Sequence, residues 1–169
     1  MEVPMPAYKV LVPLDGSRLA EHSLIYLDAL RSLGESEVLL LSVVDQPEAF
    51  KYPSPAEAIE REANLLGTYL REVSSDIEQH LGITVETKVT TGAPADCVLE
   101  EARAYSPDLL VISTHGRSGP SRWRFGSVAD KVIRGAECNI LVVGPKAAEA
   151  AKWLEGRIMA PFKSLLVPA

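Results

Sequence analysis

Five short runs rich in apolar and β-branched residues recur along the chain and predict β-strands. They are Tyr8–Leu14, Glu37–Val44, Ile83–Val89, Asp108–Thr114 and Asn139–Val143. The run at 37–44 is continuously apolar, which is typical of a parallel strand covered on both faces. The run at 83–89 alternates polar and apolar positions instead, so we expect that strand near the sheet edge.

Stretches with helical spacing separate these runs. Ser17, after the turn residues Asp15 and Gly16, is a predicted N-cap for a helix that reaches about Leu33. A longer helix is predicted to begin at Ser54-Pro55 and to end at Gly82. Its apolar stripe consists of Ile59, Ala63, Leu66, Leu70, Val73 and Ile77. Two shorter helices are predicted at 95–105 and 126–134.

Strands that alternate with helices predict an α/β fold, an open five-stranded parallel sheet with helices on both faces, of the Rossmann-like type. Ligands of such sheets bind outside the carboxyl ends of the strands, where the strand order reverses. Two loops that follow strands carry unusual chemistry, namely Asp15–Ser17 and His115–Ser127. If the reversal lies between the first and fourth strands, both loops face one crevice.

Composition and net charge exclude some classes of binding partner. The chain has 169 residues, a net charge of −6 and a pI of about 5.1, which argues against nucleic-acid or anionic-membrane partners. It has no apolar run of membrane-spanning length and no signal-peptide pattern, so we expect a cytoplasmic protein. Cys97 and Cys138 lie outside any metal-binding pattern and are expected to be buried thiols, so no metal site is predicted.

The loop from 113 to 127 is a candidate phosphate site. Gly116 follows a predicted strand directly, and Gly126-Ser127 opens the next helix, where free N–H groups and the helix dipole favour an anion. Three basic side chains accompany them, those of Arg117, Arg122 and Arg124. Two ligand-free explanations stay open: Ser127 and Asp130 match a capping box, and the arginines fit a solvated loop. The segment matches neither the GxxxxGK[ST] nor the GxGxxG pattern.

The spacing within this loop resembles the universal stress protein family over roughly residues 6–146. Nucleotide-binding members carry G-x2-G-x9-G-[ST], and this chain has Ser113, Gly116, Gly126 and Ser127 at those positions. The segments VPLDGS at 12–17 and GAPADCVLEEA at 92–102 also resemble the family. The resemblance implies an adenine nucleotide alpha hydrolase-like fold, and a homodimer built through the fifth strands.

The resemblance also implies how ATP is held, together with any Mg²⁺ that its phosphates bring. Asp15 would reach the ribose or adenine, the backbone of Val43 would bind adenine, and the glycine loop would cradle ribose and phosphates. The full candidate set is Pro13, Leu14, Asp15, Val43, Ser113, His115, Gly116, Arg117, Gly119, Gly126, Ser127 and Val128.

Catalysis has little support in the sequence. His115 is a candidate general base, but a lone histidine beside a glycine loop more often packs or bonds the backbone. No set of catalytic side chains stands at recognisable spacing, so any chemistry would be slow hydrolysis of bound ATP. Two functions follow: an ATP-binding regulatory or stress-response protein, or an interaction protein of this fold without nucleotide. The Gly116-x9-Gly126-Ser127 spacing favours the first.

The C-terminal segment repeats an earlier one. Lys163–Pro168 (KSLLVP) resembles Tyr8–Pro13 (YKVLVP) and follows an alanine-rich stretch at 147–156. We therefore expect a domain at 1–146, then a linker and an extra strand at 147–169, as if a second copy began there. A lone strand leaves its backbone groups unpaired, so this strand is expected to pair with a sheet edge. The alternative is a disordered tail.

Overall fold

The computed structural model describes residues 7–31, 34–46, 56–114, 125–145 and 147. These residues form one five-stranded parallel sheet. Its strands are β1 (Tyr8–Pro13), β2 (Ser36–Asp45), β3 (Thr84–Gly92), β4 (Leu109–Ser113) and β5 (Asn139–Val143). The predicted fold class is confirmed, and all five predicted strands are present, with β3 running three residues further than the alternating pattern indicated.

The strand order is β3-β2-β1-β4-β5, so the direction of winding reverses between β1 and β4. Val10 of β1 stands beside Leu109 of β4, and Tyr8 of β1 stands beside Ser36 of β2. The reversal therefore lies between the first and fourth strands, as a shared crevice requires. The loops that follow β1 and β4 start from neighbouring strand ends. β3 is an edge strand, as its alternating pattern predicted.

The helices of the described residues are α1 (Arg18–Glu21), a 3-10 helix (His22–Tyr26), α2 (Leu27–Arg31), α3 (Ala56–Leu81), α4 (Pro94–Tyr105) and α5 (Ser127–Gly135). The Ser17 N-cap is confirmed, because its hydroxyl oxygen accepts a hydrogen bond of 3.1 Å from the Ala20 N–H. The proposed start of α3 at Ser54-Pro55 lies outside the described residues, as do residues 148–169.

The prediction of one continuous helix after Ser17 is wrong. The segment is divided into α1, the 3-10 helix and α2. The Ser23 hydroxyl donates to the carbonyl of Ala20 at 2.6 Å, a bond across three residues that suits the tighter 3-10 geometry. Sequence periodicity does not distinguish a helix of 3.6 residues per turn from a short tightened stretch.

Side chains of the inner strands alternate between two apolar cores, one on each face of the sheet, whereas the edge strand β3 contributes to the first core only. Val10 and Val12 of β1 face α1, α2 and α3, whereas Leu11 between them faces α4 and α5. The predicted stripe of α3 packs against the first core through its buried members Leu70, Val73 and Ile77. No helix in the described part is long and apolar enough to cross a membrane.

Candidate functional site

A cavity of about 280 Å³ lies at the carboxyl end of the sheet, over the β1–β4 reversal. Its walls come from the ends of β1, β2 and β4, from Ala20 of α1 and from the N-terminal parts of α4 and α5. Eight residues of the candidate set line it: Pro13, Leu14, Asp15, Val43, Ser113, Gly126, Ser127 and Val128. The other four, His115, Gly116, Arg117 and Gly119, lie outside the described residues. Their binding roles stay predictions.

The end of β1 is held rigidly. The Leu14 N–H donates to the carbonyl of Leu41 at 2.8 Å, and the Leu14 carbonyl accepts from the buried Ser42 hydroxyl at 2.7 Å. Asp15 Oδ1 then accepts the Ser17 N–H at 3.0 Å across Gly16, whose φ of 79° needs glycine. Asp15 therefore belongs both to the turn and to the cavity wall.

The start of α5 presents backbone donors to the cavity. Gly126 is the N-cap, with φ −67° and ψ 159°, and it supplies no side-chain cap. The N–H groups of Ser127, Val128 and Ala129 are in the first turn and have no acceptor within the helix. The Gly126 N–H donates to the Thr114 carbonyl at 2.7 Å, so the start of α5 is held against the end of β4 beside the cavity.

The capping-box explanation of Ser127 is wrong. Ser127 is the first helical residue rather than the N-cap, and its side chain is exposed. The Asp130 carboxylate pairs instead with the Arg134 guanidinium at 3.0 Å, one helical turn further on. Hydrogen bonding to Arg134 lowers the pKa of Asp130. The first turn of α5 thus keeps its donors without the predicted side-chain partner.

Sequence reasoning missed half of the lining: Ala20, Leu41, Asp45, Pro94, Val98, Ile112, Thr114 and Ala129. Leu41 and Asp45 could have been predicted from strand alternation. They lie two positions before and after Val43 on the same strand, so their side chains share its face. Pro94 and Val98 come from α4, whose position over the cavity depends on packing. None of the described lining residues is basic, and Arg117, Arg122 and Arg124 lie outside the described part.

Glu21 lies directly after the cavity residue Ala20 and is itself only 6% exposed. Burial raises its pKa to about 7, although the hydrogen bond from the Tyr69 hydroxyl at 3.0 Å and the charge of Arg18 oppose the shift. The charge of Asp15 adds to the rise. The Glu21 carboxyl group, through its hydrogen bond with Tyr69, therefore links α1 at the cavity wall to α3.

A second cavity, of about 580 Å³, lies at the opposite end of the sheet, beside the last turns of α4 and α5. Arg103 and Glu137 form an ion pair of 3.7 Å at this cavity, and both side chains are largely exposed. Cys138 also lines it, half-buried like Cys97 rather than buried as expected. Among the described residues its lining includes neither a helix N-terminus nor a loop that follows a strand, so the smaller cavity is the candidate site.

The model of the universal stress protein family matches residues 7–144, and the chain belongs to that family. Universal stress protein MJ0531 of Methanocaldococcus jannaschii is 28% identical over 142 residues, which are 80% of this chain and 81% of the relative. The solved structure of protein MJ0577 is similar with a TM-score of 0.68 and 27% identity, covering 84% of this chain and 99% of that one.

A universal stress protein family protein from Arabidopsis thaliana, whose structure was solved with AMP bound, is also similar. Its TM-score is 0.59 and its identity 25%, and the match covers 84% of this chain and 94% of that chain. The family and the Rossmann-like fold expected from the sequence are therefore confirmed.

Proposed function

We propose that this chain is an ATP-binding universal stress protein that acts as a nucleotide-dependent regulatory or stress-response protein. The observation that carries the proposal is the cavity at the β1–β4 reversal, where five candidate residues from the strand ends face three at the open start of α5. Phosphate oxygens suit that turn because its N–H donors and the helix dipole both favour negative charge. Binding of AMP by the Arabidopsis protein supports an adenine nucleotide as the ligand.

In this proposal the nucleotide lies across the strand ends. Val43 contacts adenine through its backbone, Asp15 reaches the ribose, and Gly126, Ser127 and Val128 hold phosphates. His115, Gly116, Arg117 and Gly119 complete the phosphate side. Mg²⁺ enters with the phosphates, since carboxylate and phosphate oxygens are its preferred ligands. Hydrolysis is at most slow, and the bound state acts by changing partners or assembly in the cytoplasm.

The alternative is an interaction protein of the same fold that binds no nucleotide. One experiment separates the two functions: mass spectrometry of ligand released from the purified protein, followed by calorimetric titration with ATP and Mg²⁺. We expect saturable binding by the wild type. An absence of binding up to millimolar ATP would favour the interaction protein.

Gly126→Asp is the variant for this titration. The backbone angles of Gly126 are ordinary for an N-cap, and aspartate there caps a helix well, so its carboxylate would occupy the donors proposed for phosphate. We expect α5 to be stabilised only slightly, by roughly 0.3 kcal/mol, while ATP affinity falls at least about tenfold. Unchanged ATP affinity in a folded Gly126→Asp protein would exclude the first turn of α5 as the phosphate site.

We also propose a homodimer built through β5. That strand forms one edge of the described sheet, and its residues Ile140, Leu141 and Val142 are only partly covered. The opposite edge strand, β3, carries the exposed charges Glu86 and Lys88, which discourage pairing. The extra strand at 163–168 is proposed to pair with a sheet edge of its own or a partner subunit.

A further inference from the structure

Asp45 is a cavity residue that the proposed roles above leave unused. It is the last residue of β2, its side chain is exposed, and its backbone is held in the ladder beside Gly92 of β3. Within the described part of the chain no hydrogen bond or ion pair engages its carboxylate. Asp15, the other carboxylate of the lining, already accepts the Ser17 N–H. A fixed backbone thus presents an unengaged acceptor at the cavity.

The position of Asp45 places it beside the base rather than the phosphates. Leu41, Val43 and Asp45 alternate along one strand and all line the cavity, so Asp45 stands about 6.6 Å beyond Val43 on the same face. β1 lies between β2 and β4, which places the end of β2 about 10 Å from the end of β4, where α5 begins.

Charge supports the same orientation. A carboxylate beside a phosphate is repelled, by roughly 4 kcal/mol per unit-charge pair at 4 Å in a partly screened site. The phosphates therefore belong at the α5 donors, and the neutral base belongs at the end of β2. An aspartate carboxylate there only accepts hydrogen bonds, so it selects a base that offers a donor.

We propose that the Asp45 carboxylate accepts a hydrogen bond from the 6-amino group of adenine and makes the site selective for 6-aminopurine nucleotides. This rests on the proposed function and on its orientation of the base toward Val43. A 6-oxo purine presents a carbonyl oxygen at that position, which faces the carboxylate with like partial charge. A purine without a 6-substituent presents neither donor nor acceptor there.

The test compares the binding affinities of two nucleotides across the wild type and its variants. ATP and purine riboside triphosphate, which lacks only the 6-amino group, are titrated into the wild type, Asp45→Asn and Asp45→Ala. The matched control is Glu72→Gln, which also removes one negative charge but lies on the exposed side of α3, away from the cavity. Circular dichroism checks folding, and Asp45→Asn keeps the side-chain shape.

We expect the wild type and Glu72→Gln to bind ATP about tenfold more tightly than purine riboside triphosphate, since a hydrogen bond to a charged group is typically that strong. In Asp45→Ala the ratio should fall close to one, with Asp45→Asn between. Equal changes for both ligands, or an unchanged ratio, would overturn the inference while leaving nucleotide binding intact. So would tighter binding of GTP than of ATP by the wild type, measured in an added GTP titration, if Asp45→Ala abolishes that preference. Absence of all nucleotide binding by the wild type would reject the proposed function itself, and this inference with it.

Discussion

Glu21 has a buried carboxyl group, and burial disfavours its charged form. Its side chain is 6% exposed, and its pKa of about 7 lies well above the ordinary 4.5. A raised pKa means that the folded protein binds the proton more tightly than the unfolded chain does. The contribution of Glu21 to stability is therefore fully present below about pH 4.5 and is lost as the pH rises toward 7.

Glu21→Gln isolates this effect, because glutamine keeps an oxygen for the Tyr69 hydroxyl but does not ionise. We expect the two proteins to be similarly stable at about pH 4, and the variant to be more stable at about pH 8 by at most on the order of 3 kcal/mol. Urea unfolding at several pH values measures the difference. A difference that does not change with pH would mean that Glu21 ionises normally in the folded protein.

His22 changes the wild-type pH profile but not this comparison. Its Nδ1 is buried without a hydrogen-bond partner in the described part, and burial lowers its pKa. Its contribution therefore falls as the pH drops below about 6.5, the opposite direction to that of Glu21. Since both proteins keep His22, the difference between them reports Glu21 alone.

At the scale of elements, Gly92 joins the end of β3 to α4 and lies beside the cavity. Its φ is +151°, and a Cβ added there would stand 2.9 Å from Cys97 Sγ. Its carbonyl also accepts the Gln46 N–H at 3.0 Å, next to Asp45. Backbone conformation and close packing both require glycine here.

Gly92→Ala should lower the free energy of unfolding by about 2–4 kcal/mol, the combined cost of backbone strain and overpacking. Gly82→Ala is the comparison variant, because Gly82 has a φ of +63° and open space around it, so it should show left-handed backbone strain without overpacking. Removing the sulfur in Gly92→Ala/Cys97→Ala should relieve part of the loss. Denaturant unfolding orders the variants, and an equal loss at both glycines would contradict the packing argument.

At the scale of the whole molecule, the two sheet edges differ. The partly covered apolar side chains of β5 suit a partner strand, whereas the charges of β3 oppose one. Ile140→Lys should therefore convert the proposed dimer into a monomer in sedimentation equilibrium. Leu65→Lys, which changes a leucine that is 67% exposed on α3, should leave the mass unchanged. Dissociation by Leu65→Lys alone would move the interface to α3.

Deletion of residues 157–169 is a second variant to be measured by sedimentation equilibrium. If the strand-like repeat pairs with an edge, the truncated protein should differ from the full chain in solubility or in mass. Unchanged solubility and mass would reject the pairing proposed for that segment.

Local chemistry explains what was predictable. Apolar runs in the sequence predict buried strands, and β5 spans the same residues that were predicted for it. Asp15 and Ser17 form the predicted turn and cap because their partners lie within three residues. Half of the cavity lining was foreseen, largely through the family resemblance. Pro94, Val98 and Asp45 were not, because no local rule says which helix covers a crevice or which strand end stays unengaged.

The sequence by itself determined the alternation of strands and helices, the turn after β1 and the segment that begins α5, all set by interactions between near neighbours. Only the tertiary structure decided that β4 pairs with β1, that the helix after Ser17 breaks, and that Pro94 and Val98 of α4 lie over the cavity. Each of these outcomes depends on competition between partners: strands for an edge, carbonyls for a donor, helices for a place on the sheet. Such competition is settled only when the whole core packs.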